Sequence, residues 1–419
     1  MEKRAITRSA NAVLPTVGFA PETLLAPRQA LVAYFSRVAV APPGTERIAL
    51  DDAAGRVLAE SVRADADYPA ARRSTMDGFA LASVGTPGDF EIAGEVAMGG
   101  VLDAPLAARA AVRIPTGGIL PENADAVLPI EEARLHDGRL IVDARVERGD
   151  NVVEPGADMR AGEALLASGR RLRAADCGLL ATLGIVQPLV YRRPRIAVLS
   201  SGDELIEPDR IPAAGEIRDS NRYAVAASLR AMGAEAVHFP TLRDEAAQFE
   251  SALREAIAVC DGVVVTGGSS VGERDRLPKA VAAIAQPGVV VHGLRVKPGK
   301  PALFGAHGSK PILGLPGNPM SALFILEAVA SPIVGALTGA VLEPSTVQAR
   351  LGAEARSRGG WTWYVPVRLE HEAPLPIAHP LGVRSFSVSL AARADGYIVM
   401  EERDEMWPTE TVVTVRRFF

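Results

Sequence analysis

From Arg195 onward, short apolar runs alternate with stretches patterned at helical spacing, and this alternation limits the fold more than any other feature of the chain. The runs at 196–199, 236–239, 263–265, 289–291 and 312–315 are almost wholly apolar and read as strands. The stretches 222–232, closed by Gly233, and 245–259 carry their apolar residues on one helical face. Strands that are apolar along their length need cover on both faces. The pattern therefore predicts a mostly parallel sheet between two helix layers, a three-layer α/β domain. Ligands in such sheets bind beyond the carboxyl ends of the strands. Three predicted strand ends run into polar, glycine-containing loops: Ser200-Ser201-Gly202-Asp203-Glu204, then Thr266-Gly267-Gly268-Ser269-Ser270-Val271-Gly272-Glu273-Arg274-Asp275, then Gly314-Leu315-Pro316-Gly317-Asn318-Pro319-Met320-Ser321. Glycine lets backbone N–H groups approach an anion closely. A following helix adds the positive end of its dipole, and Ser and Asn add donors. Each loop alone also fits ordinary turn chemistry; the three together point to one anion pocket.

A chain of 419 residues is too long for one core, and its texture changes along its length. Residues 1–27 contain Pro15, Pro21 and Pro27 and read as a loose arm without the apolar run of a signal peptide. Residues 28–64 begin with a helical stripe at 30–40, break at Pro42-Pro43-Gly44 and continue extended. With 163–191, which holds a predicted helix at 176–183, they form a mixed helical and extended linker domain. Residues 65–162 are rich in glycine and proline, with short apolar alternations, and read as an inserted β-rich domain. The α/β domain spans 192–342. Residues 343–419 return to β character, with candidate strands at 361–369 and 411–415, and make a C-terminal β domain. The stretch 323–342 has the length of a membrane span. Glu327, Pro332 and its place behind the third loop mark it instead as a buried core helix, and no membrane association is expected.

A formal net charge of −5 argues against sequence-independent nucleic-acid binding, which needs a basic footprint. The two cysteines, Cys177 and Cys260, lie far apart, which fits a reducing cytoplasm. None of the six histidines has the spacing of a zinc site. Lysine is scarce: five of the 45 basic residues are lysine, and four of those five are Lys279, Lys297, Lys300 and Lys310. Lysine is a compact point charge on a flexible stem. In Lys297-Pro298-Gly299-Lys300-Pro301 the prolines fix the backbone beside two ammonium groups, an arrangement suited to developing charge on a transferred or cleaved phosphate. A solvated basic turn is the plainer reading.

Acids accompany the donor loops: Glu204, Asp244 and Asp275. A phosphate pocket has no use for carboxylates unless a divalent cation lies between, and magnesium takes carboxylate and phosphate oxygens together. Each of these acids also has a reading as a helix cap or first-turn acid. In the inserted domain, Asp77 of Ser74-Thr75-Met76-Asp77-Gly78 and Asp158 of Pro155-Gly156-Ala157-Asp158 sit in polar turns, and spacing alone makes both structural.

In this order, STMDGFA, SSGDEL, GEIRDSNRYAV, TGGSSVGERD, KPGKP and GLPGNPMSA resemble the molybdopterin molybdenumtransferase family, the bacterial relatives of the gephyrin E domain. The resemblance covers about 28–419. It implies an enzyme of molybdenum cofactor biosynthesis that binds adenylylated molybdopterin, passes molybdate to its dithiolene, and hydrolyses the phosphoanhydride with Mg2+ to release AMP. It implies a cytoplasmic homodimer, with 28–64 plus 163–191 serving dimerisation. The site is then expected between the α/β domain of one subunit and the inserted domain of the other. A pterin adenylyltransferase and molybdoenzyme apoproteins are the implied protein partners. By position, Asp77, Asp158, Glu204, Asp244, Asp275, Lys297 and Lys300 match functional acids and the basic loop, with Glu204 and Asp275 as metal ligands. Ser200, Ser201, Gly202, Asp203, Gly267, Gly268, Ser269, Ser270, Pro301, Pro316, Gly317, Asn318, Pro319 and Ser321 match the substrate loops.

The departures fall in the oxyanion half. Gly293 stands where some members carry a lysine, with Arg295 nearby as a substitute. The pattern GRxEFxR becomes Gly360-Trp361-Thr362-Trp363-Tyr364-Val365-Pro366, leaving Arg368 on the same face of a regular strand as its substitute. Ser387-Val388-Ser389 and Ala394-Asp395-Gly396 stand in for a serine pair and an ANG tripeptide, which makes Ser389 a candidate. The alternatives are a paralogue handling tungstate or a modified pterin, and a non-catalytic gephyrin-like scaffold. The full acid set favours the enzyme. The extra domains argue against a pterin adenylyltransferase.

Overall fold

The computed structural model describes residues 23–102, 104–243, 245–269, 276–371 and 374–419. Asp244, Ser270 and Asp275, expected in the site, lie outside the described residues. The chain divides into two compact units. One comprises residues up to Ala59 with Gly169–Cys177 and Gln187–Phe419; the other comprises Glu60–Ser168 and Gly178–Val186.

The first unit contains the α/β domain: β1 (Arg195–Ser200), α1 (Asn221–Ala231), β2 (Glu235–His238), α2 (Ala246–Val259), β3 (Gly262–Thr266), α3 (Leu277–Ile284), β4 (Pro287–His292), β5 (Leu303–His307), β6 (Lys310–Leu315) and α4 (Pro319–Phe324). The sheet order is β2-β1-β3-β6-β5-β4. The first four strands are parallel, and β5 and β4 follow antiparallel. Strand periodicity explains the two-sided burial. Ile196, Val198, Val264, Leu313 and Leu315 face one core, while Ala197, Leu199, Val263, Val265 and Ile312 face another. α1 buries Val225, Ala226 and Leu229 in the first core. α2 buries Phe249, Leu253, Ala256 and Ile257 in the second, the stripe of an amphipathic helix. Each such large apolar side chain contributes roughly 1.5–3 kcal/mol when fully buried.

The expectation of one buried helix at 323–342 is corrected. α4 passes into a π-helical turn, Ile325–Val329, and restarts as α5 (Ser331–Thr338), with a 54° bend between the halves. Pro332 cannot donate the amide hydrogen bond that would continue the first helix. Among the described residues no single helix is long and apolar enough to cross a membrane, and the bent pair passes that test only jointly. Its apolar residues, from Phe324 to Leu337, belong to the first α/β core.

The remainder of this unit adds a closed sheet and a flanking helix. β7 (Thr346–Leu351), β8 (Thr362–Glu370), β9 (Ile377–Pro380), β10 (Gly396–Met400) and β11 (Val412–Arg416) form the ring β8-β9-β7-β11-β10, which β10 closes onto β8. Closure leaves no free edge among these strands. The helix Pro27–Phe35 buries Ala30 and Tyr34 against the α/β core, and the Tyr34 hydroxyl donates to the Gly305 carbonyl at 3.3 Å.

The second unit is built on a six-stranded sheet in the order Ala126–Pro129, Gly78–Leu81, Ala110–Ile114, Gly88–Glu95, Arg139–Val142, Arg134–His136. Its second strand, Gly78–Leu81, is buried on both faces: Phe79 and Leu81 face one cluster and Ala80 the other.

Candidate functional site

The three glycine loops of the α/β domain meet at their strand ends. β1 ends at Ser200, where Ser201 N–H donates to the Thr266 carbonyl at 2.9 Å and Thr266 Oγ1 donates to Ser200 Oγ at 3.2 Å. β3 ends at Thr266, and Gly267 N–H reaches the Leu315 carbonyl at 3.1 Å. Gly267 has φ +86°, and a Cβ there would collide with the Ser201 carbonyl, so only glycine fits both the conformation and the space. On its other side a Cβ on Gly317 would stand 3.7 Å from Gly267 Cα. Ser269 is buried and its hydroxyl donates to the Leu315 carbonyl at 3.2 Å. Thus Ser200, Ser201, Gly202, Gly267, Gly268, Ser269, Pro316 and Gly317 come from three loops that share one set of backbone contacts.

Glu204 folds back over the first loop. Its carboxylate oxygens lie 2.7 and 2.8 Å from where a Cβ on Gly202 would sit. Glu204 and Asp203 are exposed. No hydrogen bond or ion pair ties the Glu204 carboxylate to another described residue, so among the described residues it stands beside donor loops without a counter-ion. That is the chemistry of a carboxylate available to a hard cation.

The third loop is held from two sides. Asn221 Nδ2, at the start of α1, donates to the Gly317 carbonyl at 2.7 Å. Asn318 Nδ2 donates to Ser385 Oγ at 3.2 Å, and Met320 N–H donates to the Ser385 carbonyl at 3.2 Å. Pro319 and Ser321 lie in α4, with Ser321 buried. Asn221 and Ser385 are residues that the sequence did not single out. Asn221 sits inside the GEIRDSNRYAV motif, which was the available signal. Ser385 has no local signal, because its partner lies far away in the chain.

The basic loop is joined to the C-terminal domain. Val296–Lys297 runs parallel to β8, with Val296 opposite Thr362 and Lys297 opposite Trp363. Gly299 has φ +117°, and a Cβ there would collide with Ile325. Lys297 is exposed and Lys300 and Pro301 are partly buried. Lys297 Nζ lies 5.8 Å from the Trp363 ring centroid, and Lys300 Nζ lies 6.0 Å from that of Trp361.

The three expected substitutes differ in their surroundings. Arg295 pairs with Glu402 at 2.9 Å, so its charge is neutralised. Arg368 is an exposed residue of the largely buried β8, opposite His379, and its side chain makes no hydrogen bond or ion pair with a described residue. Pro366 is buried, so the shared strand face does not give the two residues one environment. Ser389 is exposed, with its Oγ 3.4 Å from that of Ser387, the residue that caps the helix Val388–Arg393.

In the second unit Asp77 and Asp158 are both exposed. Asp77 Oδ1 accepts from Thr116 N at 2.7 Å and Thr116 Oγ1 at 3.0 Å, and these bonds hold its carboxyl below the usual carboxylate range. Gly78 follows because a Cβ there would collide with the Leu128 carbonyl. Asp158 N–H donates to the Tyr68 carbonyl at 3.0 Å.

Fold and loops define a multidomain α/β protein with an anion-type loop cluster at its strand ends. Comparison with known proteins narrows the class. Three family models match in order: MoeA N-terminal region (domain I and II) over 25–184, probable molybdopterin binding domain over 197–336, and MoeA C-terminal region (domain IV) over 348–418. A molybdopterin molybdenumtransferase of Synechocystis sp. is 33% identical, with the alignment covering 86% of this chain and 91% of the relative. One from Bacillus subtilis is 31% identical over 85% and 86%. Two structures of the molybdopterin biosynthesis moeA protein from Pyrococcus horikoshii superpose with TM-scores of 0.79 and 0.83, at 29% and 24% identity, covering 94% of this chain and 99% and 100% of theirs. The chain belongs to the MoeA family of molybdopterin molybdenumtransferases, enzymes of molybdenum cofactor biosynthesis.

Proposed function

We propose that the chain inserts molybdate into adenylylated molybdopterin and hydrolyses the phosphoanhydride, releasing AMP. One observation carries the reading: three glycine loops converge at Gly267 beside the carboxylate of Glu204, which has no partner among the described residues. In this reading the bonds from Ser201, Gly202 and Gly267 N–H to loop carbonyls fix the shape of the first two loops, 200–204 and 266–270, and the N–H groups and serine hydroxyls outside those bonds bind the phosphates. Pro316, Gly317, Asn318, Pro319 and Ser321 hold the pterin. Lys297 and Lys300, with Pro301 setting the loop, face the oxyanion. Arg368 and Ser389 stay in the proposal as further oxyanion ligands of the C-terminal domain. Asp77, Asp158 and Asp244 complete the functional acids.

Glu204 and Asp275 are the proposed Mg2+ ligands, and the Glu204 carboxylate, without a counter-ion among the described residues, fits that role. Bound Mg2+ supplies charge neutralisation at the phosphoanhydride. Glu204 orients the phosphate-bearing end, the loop donors fix its oxygens, and the lysines balance charge on the incoming oxyanion. Water adds across the phosphoanhydride: one P–O bond breaks, AMP leaves, and the pterin keeps its own phosphate. We further take the protein to be a homodimer acting in a reducing cytoplasm, which its two free thiols fit. It would take substrate from a pterin adenylyltransferase and deliver cofactor to molybdoenzyme apoproteins. The division at 28–64 plus 163–191, 65–162, 192–342 and 343–419 is part of the same proposal.

The test uses purified full-length protein, adenylylated molybdopterin and Mg2+, with molybdate or tungstate, following AMP. Molybdate-dependent release is expected. Release only with tungstate would transfer the assignment to that oxyanion, and no release with either would favour a scaffold.

A further inference from the structure

Trp363 in the strand that meets the basic loop and Trp361 just before it set two indoles where the loop carries two ammonium groups. Lys297 lies in register with Trp363, and the Lys297 and Lys300 ammoniums stand 5.8 and 6.0 Å from the Trp363 and Trp361 ring centroids. Both distances fall within the reach of cation–π attraction. Trp363 is held firmly. Its strand, β8, is paired on the other side with β10, where Met400 stands opposite it, and its body packs against the C-terminal core. Its indole N–H is buried without a hydrogen-bond partner among the described residues. An orphaned buried donor is unfavourable, so this ring sits where it does despite its polar atom.

The neighbouring cation shows what the indole does differently. Arg295 is matched by the carboxylate of Glu402 at 2.9 Å. A carboxylate neutralises its partner and competes with any incoming anion. An aromatic face attracts an ammonium group through its quadrupole but carries no net charge. It can restrict a long lysine side chain, which otherwise loses much rotamer freedom on binding, while leaving the positive charge for a ligand. Among the described residues the partner of the Lys297 ammonium is such a ring, not a carboxylate.

We propose that Trp363, and with it Trp361, are positioning residues of the oxyanion site: their ring faces set the ammonium groups of Lys297 and Lys300 for an anionic ligand. Only the identity of that ligand, molybdate, rests on the functional reading above.

The chain has five lysines, so selective 13C labelling of lysine gives a spectrum that can be assigned by substitution. In the full-length protein the side-chain Cε protons of Lys297 and Lys300 should lie upfield through the ring currents. Trp363→Leu should remove that shift from Lys297, and Trp361→Leu should remove it from Lys300. Molybdate titrated alone should move both resonances. In steady-state assays Trp363→Leu should raise the apparent KM for molybdate about two- to fivefold with kcat nearly unchanged, the span of one cation–π contact. Trp363→Phe keeps an aromatic face and removes the orphaned N–H. It should recover most of the KM and leave thermal stability equal or higher, so it decides the matter even where the leucine variant folds poorly. A Lys297 resonance unmoved by Trp363→Leu overturns the proposal. So does a lost ring-current shift with an unchanged KM. A wild type whose lysines respond to molybdate as described but that releases no AMP would sink the functional reading and leave the positioning role standing.

Discussion

Two parts of the α/β domain's strand-end surface are built by opposite means. Around Gly267, three loops are joined by backbone hydrogen bonds and by approaches too close for any Cβ. At the basic loop, two lysines are set by one ring in a β-strand of another domain, Trp363, and one just before it, Trp361. The first construction is local and intolerant: each loop follows directly from its own strand, and glycine is required where Ser201 and Gly267 meet. The second is remote and adjustable, because one ring face can replace another. A helix joins them. It leaves the third loop at Pro319, passes Ile325 against Gly299 of the basic loop, and buries Glu327 beyond.

The largest effect is expected in the intolerant half. Glu204→Gln removes a carboxylate with no described counter-ion and should lower AMP release by about 100-fold or more, with the circular dichroism spectrum retained. Full activity in that variant would break the assignment. Gly267→Ala places a methyl group against the Ser201 carbonyl at a left-handed φ, and should cost about 1–3 kcal/mol in urea denaturation. An unchanged midpoint would mean that the loops do not meet as described.

In the adjustable half the effects are smaller. Arg295→Gln breaks a half-buried pair and should cost no more than about 1 kcal/mol, while the apparent KM for molybdate stays where it was, since that charge is already neutralised. A large rise in KM would place Arg295 among the anion ligands and weaken the contrast with Lys297.

The helix joining the two halves has its own signature. Burial raises the Glu327 carboxyl above the usual carboxylate range, against the opposing hydrogen bonds from Ser228 Oγ and Phe419 N–H. The folded state therefore holds the proton more tightly than the unfolded chain. The sign follows: stability is highest below the ordinary carboxylate pKa and falls as pH rises toward the raised folded value. Urea midpoints taken from about pH 4 upward should show that decline in the wild type and a flatter profile in Glu327→Gln. Identical slopes would remove Glu327 from the account.

The same contrast explains what could be read from the sequence. The alternation from Arg195 onward encodes the α/β layers, because strand and helix periodicities are local. The glycine loops were legible for the same reason. The strand β5 was missed: Leu303–His307 carries a central glycine and pairs antiparallel inside a sheet expected to be mostly parallel. The bend before α5 was missed because an apolar composition hides a register break that only Pro332 marks. The partners Ser385, Trp361 and Trp363 could not be assigned, since the pairing of β8 with Val296–Lys297 is a long-range event without a local pattern. Arg295 was legible by nearness in sequence, but its pairing with Glu402, far along the chain, was not.

The most direct measurement compares Glu204→Gln and Trp363→Leu side by side, with adenylylated molybdopterin, Mg2+ and varied molybdate. The account predicts that Glu204→Gln loses kcat for AMP release at every molybdate concentration, whereas Trp363→Leu keeps kcat and needs about two- to fivefold more molybdate to reach it. AMP release that is independent of molybdate, or a Glu204→Gln variant as active as the wild type, would contradict it.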